Sequence, residues 1–169
     1  DKKRALISLL VKRLGEIKDD QYIRNALKDT SLIECTDGKY RKAEECYFKS
    51  ALVINCLTDD IHFVAHLQND QKSAIHDLYE WLGVSSEPRN VDLIERIMKI
   101  SRLPYSIKSI QAIEKIFAFI GSKYNKELPS NLDGLRKFTW LPAKGKKERW
   151  YSPDELYAGY QAYLFETQA

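Results

Sequence analysis

Two stretches of this chain follow one pattern. Lys39-Tyr40-Arg41-Lys42-Ala43-Glu44-Glu45-Cys46-Tyr47 aligns without gaps on Arg149-Trp150-Tyr151-Ser152-Pro153-Asp154-Glu155-Leu156-Tyr157, at an offset of 110 residues. Upstream, Leu32-Ile33-Glu34-Cys35 matches Thr139-Trp140-Leu141-Pro142 at an offset of 107, so the second turn is longer by about three residues. Each copy reads as short helix, strand, Gly-containing turn, aromatic strand, acidic helix start and tyrosine. Self-similarity of this kind points to one local geometry used twice. In the first copy, Asp37-Gly38 supplies the positive φ angles of a tight hairpin. In the second, Ser152-Pro153-Asp154-Glu155 is a capping box. The Ser152 hydroxyl can accept the amide of Glu155, Pro153 suits the first helical position, and the Glu155 carboxylate can reach back to the Ser152 amide.

Helical periodicity fills most of the remainder. Leu6, Leu9, Leu10, Leu14 and Ile17 recur at three and four, which predicts a helix over 3–17. A shorter helix over 20–27 presents Tyr22, Ile23 and Leu27. From Asp70, the residues Ile75, Leu78, Tyr79 and Leu82 line one face, and Gly83 stops that helix. Ser85 to Pro88 is a connector. Asn90 is a candidate N-cap for a helix with Leu93, Ile94, Ile97 and Ile100 inward. Leu103-Pro104 ends it. Ser106 caps a third helix bearing Ile107, Ile110, Ile113, Phe117 and Ile120, and Asn131 opens a short turn through Leu135. A last helix, started by the Ser152 capping box, carries Leu156, Tyr157, Tyr160, Tyr163 and Leu164. The apolar runs between Ala51 and Leu67 fit strand and helix equally. The expected fold is therefore α+β and mostly helical. Two β-hairpin-plus-helix units, at about 27–50 and 132–160, flank a central helical group within a single domain, 1–169.

Composition narrows the class. The 27 Lys and Arg against 24 Asp and Glu give a net charge of only +3, too weak by itself to imply nucleic acid. With 44% apolar and 30% charged residues the chain can bury a core, and seven Gly and five Pro exclude a collagen-like or low-complexity segment. No apolar run approaches the ~20 residues of a membrane span, and Asp1-Lys2-Lys3-Arg4 leads into an amphipathic pattern, not a signal peptide. The chain opens on Asp1 instead of Met, as expected of a piece of a longer cytoplasmic protein. Cys35, Cys46 and Cys56 are about ten apart and odd in number, so they read as reduced, buried thiols and not as a closed disulfide framework or a zinc site.

Catalytic patterns are sparse. Ala143-Lys144-Gly145-Lys146-Lys147 lacks the first Gly, the hydroxyl and the following helix of a phosphate-binding loop. His62 and His66 share a face on either a helix or a strand, and they define a metal-dependent hydrolase reading, although Phe63 replaces the Glu of a zinc-protease motif. His76 and Asp77 are helix neighbours expected to point apart. Glu44-Glu45 and Asp154-Glu155 fit capping better than paired acid–base chemistry. The residues therefore imply no catalytic group, no metal and no cofactor. The segment with the clearest ligand chemistry is basic: Arg136, Lys137, Lys144, Lys146, Lys147 and Arg149 with Trp150 can attract phosphates and stack bases, the alternative being a solvated hairpin tip with Trp140 and Trp150 packed in the core.

The pattern resembles the repeated segments of sacsin-type proteins and the related large proteins that carry a histidine-kinase-like ATPase domain. Leu141-Pro142, Gly145, Trp150 and Ser152 to Tyr157 carry the resemblance. Leu32 to Tyr47 follow it with Cys35 and Ala43 at expected proline positions. Leu78-Tyr79-Glu80-Trp81-Leu82-Gly83-Val84, with Pro88 after it, resembles the family's connector. The resemblance spans about Leu27 to Tyr160. It implies a non-catalytic structural or protein-interaction module of a larger ATPase-containing protein. Its partners would be other domains of the same parent chain or separate proteins, with no membrane. The ATP-binding motifs of that family have no counterpart here. A nucleic-acid-binding module using the basic segment is the competing expectation.

Overall fold

The computed structural model describes residues 1–65, 72–124, 129–143 and 148–155. They form a mostly helical α+β chain that falls into two compact units, the first made of Asp1–Ile54 and Thr58–Glu87, the second of Asn55–Leu57 and the chain from Pro88 onward. The main boundary lies at the Ser85–Pro88 connector. One copy of the sequence repeat lies in each unit.

In the first unit, α1 (Lys2–Ile17) starts where the Asp1 carboxylate accepts the Lys3 amide at 3.0 Å. Asp20 does the same for α2 (Gln21–Lys28), accepting from Tyr22 and Ile23, each at 3.0 Å. Such caps satisfy amides that a helix start leaves without carbonyl partners. The inward face of α1 is Ile7 and Leu10, with Leu6, Val11, Leu14 and Ile17 packed beside them. Leu9, expected inside, is 52% exposed, and Tyr22 on α2 is 86% exposed. Neither lies on the face that its helix turns to the core, and Arg24 takes the inner position on α2 instead. Its Nε donates to the Trp81 carbonyl at 2.8 Å, while the Trp81 indole donates to the Lys18 carbonyl at 2.9 Å.

The first hairpin pairs β1 (Ile33–Glu34) with β2 (Tyr40–Arg41), Ile33 opposite Arg41 and Glu34 opposite Tyr40. Its loop is a three-residue one, not a two-residue turn. The Gly38 amide donates to the Cys35 carbonyl at 2.8 Å and the Cys35 amide to the Lys39 carbonyl at 2.9 Å, and φ is positive only at Gly38 (+77°). A type I turn closed by a left-handed glycine produces this geometry. Arg41 holds both Asp37 carboxylate oxygens, at 2.8 and 2.7 Å. Arg4 on α1 grips Glu34 through Nε and Nη2, at 3.1 and 2.9 Å.

The ambiguous stretch proves to be both structures. Ser50 accepts the Val53 amide at 3.1 Å and starts α3 (Ala51–Leu57). Residues 61–65 then run extended. Cys35 bridges Val64, and Tyr47 bridges both Phe63 and Ser85. Between the helix and the extended run, Thr58 has φ +64° and ψ −60°, the rare γ-turn conformation that crowds a β-branched side chain. Helix α4 (Lys72–Leu82) covers this layer with Leu78 and Leu82, both almost wholly buried. It ends in a Schellman motif, in which Val84 donates to the Tyr79 carbonyl (2.9 Å) and Gly83 to that of Glu80 (3.0 Å), with Gly83 at φ +115°.

In the second unit, α5 (Asn90–Ser101) and α6 (Ile107–Lys123) pack together as a helical hairpin, and α5 also packs on a 3-10 helix, Ser130–Lys137. Leu93, Ile97, Ile100, Ile113, Ile116 and Leu132 are fully buried. Ser106 and Ser109 form the box that opens α6, each side-chain oxygen accepting the other's amide. Asn90 is not an N-cap. It is the first helical residue, and its side chain ties Tyr124 and Asn131 together. Ile107, expected inside, is 75% exposed, and Ile116 and Phe119 take its place in the core. Among the described residues, the second β pairing is one bridge, Leu141 to Tyr151. Of the expected last helix, Pro153–Glu155 form a 3-10 turn, and everything from Leu156 onward lies outside the described residues.

Three substitutions test this packing. Leu78→Ala removes a side chain with no exposed surface and is expected to cost about 2–5 kcal/mol in urea unfolding, whereas Leu9→Ala stays within about 0.5 kcal/mol. Thr58→Gly releases the positive-φ strain and is expected to raise stability by about 1 kcal/mol by the same measurement.

Candidate functional site

Among the described residues, the basic segment does not converge on a stacking surface. Trp150 is buried; its indole donates to the Leu103 carbonyl at 3.3 Å and its ring meets Tyr105 edge-on at 5.1 Å. Trp140 is also buried, with its indole donating to the Leu135 carbonyl at 2.8 Å. Neither ring offers a free face to a base. Arg149 is committed elsewhere. Its Nη2 meets Glu155 at 3.2 Å and its guanidinium lies 4.0 Å over the Tyr151 ring. Arg136 and Lys137 are exposed at the end of the 130–137 turn, where Arg136 lies 3.8 Å from Asp133. Lys144, Lys146 and Lys147 lie outside the described residues.

The repeat is realised as one turn made twice. In the first copy, the Lys42 amide donates to the Glu45 carboxylate at 2.9 Å and the Glu45 amide to the Lys42 carbonyl at 3.1 Å. In the second, the Ser152 amide donates to the Glu155 carboxylate at 2.8 Å and the Glu155 amide to the Ser152 carbonyl at 3.0 Å. Both enclose a three-residue 3-10 turn, Ala43–Glu45 and Pro153–Glu155. The reaching-back half of the predicted capping box is therefore present, and in the first copy it needs no hydroxyl at position 42. The Ser152 amide, followed by Arg149, holds the Glu155 carboxyl below the usual range.

Other candidate groups are arranged as follows. His62 is half-buried and contributes its carbonyl to the Tyr47 amide at 2.8 Å, while its supposed co-ligand His66 lies outside the described residues. His76 and Asp77 do not diverge. Together with Glu80 they bring one ligand atom each within 4.8 Å of the others, on one face of α4, and the His76 ring stacks on Phe48 at 4.1 Å. The two carboxylates are exposed and therefore well hydrated. Cys35 and Cys46, read from sequence only as separate buried thiols, are in contact, with their sulfurs 3.4 Å apart. Their spacing alone could not show this, because it depends on how the 36–45 segment doubles back. Among the described residues, no helix is long and apolar enough to cross a membrane.

Comparison with family models, with curated proteins and with solved structures gives no match. The residues themselves therefore carry the functional argument.

The Glu155 turn gives a pH signature. A depressed carboxyl pKa contributes stability that is full above the unfolded value, about 4.3, and is lost as pH falls through the lower folded value. Glu155→Gln is expected to unfold more easily than the parent at pH 7. The gap narrows as pH is lowered past the ordinary glutamate range, as read by thermal melts between pH 7 and 3.

Proposed function

We propose that this chain is a non-catalytic structural or protein-interaction module of a larger cytoplasmic ATPase-containing protein of sacsin type. Its partners are other domains of the same parent chain or separate proteins. The observation that carries the reading is the acid-closed turn, present once in each compact unit at an offset of 110 residues. A turn of this kind spends its carboxylate on a backbone amide. Glu45 and Glu155 are thereby engaged in holding the chain direction and are poorly placed to shuttle protons to a substrate. Reuse of one structural turn, with different side chains around it, is what a repeat-built scaffold requires.

A second reading, nucleic-acid binding, rests on the exposed Arg136 and Lys137 and, from the sequence, on the basic residues Lys144, Lys146, Lys147 and Arg149. With Trp150 buried, it becomes a phosphate-contact reading without base stacking, and its affinity should fall steeply with salt.

Two assays separate the readings. Purified chain incubated with Mg-ATP is expected to release phosphate no faster than a blank, and sustained turnover would sink the module reading. Labelled single- and double-stranded oligonucleotides are expected to show no anisotropy rise at low salt. Micromolar binding that weakens with salt, and again on charge reversal at Arg136, Lys137 and Lys144, would put the nucleic-acid reading first.

A further inference from the structure

We propose that Cys35 and Cys46 form a latent intrachain disulfide, a redox-modification site that closes the first repeat copy and has no equivalent in the second. The two sulfurs are 3.4 Å apart, in van der Waals contact, and both residues are buried in the core of the first unit. Each cysteine is fixed by its own backbone. Cys35 donates its amide to Lys39 across the hairpin loop, at 2.9 Å. Cys46 donates its amide to the Ala43 carbonyl at 3.1 Å, closing the 43–45 turn. The Cys46 thiol also points at the Lys42 carbonyl, at 3.2 Å. The contact is thus built by the same turn that defines the repeat. In the second copy, the positions matching Cys35 and Cys46 are Pro142 and Leu156, which cannot oxidise in this way. Cys56 groups with the second unit and accounts for the odd thiol.

The chemistry balances with a small-molecule disulfide, such as oxidised glutathione, as the oxidant. One cysteine thiolate attacks a sulfur of the reagent, whose S–S bond breaks. A mixed disulfide forms, and the departing thiolate takes up the proton that the cysteine lost. The second cysteine thiolate then attacks the protein sulfur of the mixed disulfide and displaces the second small thiol, which is protonated in turn. Two protein thiols lose two electrons and two protons, and one reagent disulfide becomes two thiols. Burial, and then the neighbouring Cys35, push the Cys46 thiol well above its ordinary range. The Cys46 thiol is therefore held protonated in the folded chain, the buried contact is slow to react, and exchange proceeds when the hairpin opens locally. Once formed, the bond restricts the unfolded chain between 35 and 46 and stabilises the first unit.

The experiment equilibrates the folded chain with a glutathione buffer of rising oxidised fraction. Acid quench, alkylation in denaturant and peptide mapping without reduction then locate every sulfur. The expected product joins the Cys35 and Cys46 peptides, lighter by two hydrogens than their reduced sum. Cys56 is alkylated, one free thiol remains where the reduced chain has three, and the urea midpoint moves upward. Cys56→Ser should leave this cross-link intact. Cys35→Ser and Cys46→Ser should each lose it and keep a glutathione adduct at the remaining partner. A link that includes Cys56, a link between chains, a stable glutathione adduct on the parent protein, or three surviving thiols would each overturn the proposal. The parent map decides the matter even if a serine variant does not fold.

Discussion

The first unit depends on where the main chain of Tyr47 finds its partners. Tyr47 is buried, and the cost of leaving buried amides and carbonyls without partners is of the order of a hydrogen bond each. Its amide donates to the His62 carbonyl and its carbonyl accepts the Val64 amide; next to it, the Phe48 amide donates to Ser85. Residues 63–65 in turn bond on their other side to the hairpin, through Thr36 to Phe63 and Ala65 to Glu34. A short, irregular layer results, running from β2 through β1, then 63–65 and Tyr47, to Ser85. The helices of this unit pack where they do because this layer presents Ile33, Cys35, Cys46 and Phe48 as one apolar face for Leu78 and Leu82 to cover.

That constraint also explains what could be read in advance. Local chemistry was legible: Ser106 caps a helix, Gly83 terminates one, and Gly38 takes the left-handed position of its loop, each because a single residue satisfies or permits a single backbone geometry. Pairing over long separations was not. Ile61 to Ala65 looks like any short apolar run, and only its bonds to Tyr47 and Glu34 make it extended. The helix faces were legible to within a few side chains. Leu9 and Tyr22 were misplaced because leucine and tyrosine are tolerated at the surface, and because Arg24 fills an inner position with its aliphatic stem while its guanidinium reaches a carbonyl.

The candidate site divides along the same line. The acid-closed turns were legible, because Glu three residues after the turn start is a local signal. A core position for Trp140 and Trp150 was legible as the alternative to base stacking, but the partner was not: the Leu103 carbonyl, far away in sequence, accepts the Trp150 indole proton. The same holds for the two thiols, brought together by a loop whose path no spacing rule gives. The repeat preserves the turn, while among the described residues the first copy pairs two residues on each strand and the second makes a single bridge.

The tryptophans carry a practical consequence. Trp81 is the first unit's single indole, half-buried against Lys18 and Arg24, while Trp140 and Trp150 sit in the core of the second with their N–H groups bound to carbonyls. The chain thus contains its own optical reporters, one set for each unit. Red-shifted emission belongs to the first and blue-shifted emission to the second, so loosening of either unit can be told apart in a single spectrum with no label attached.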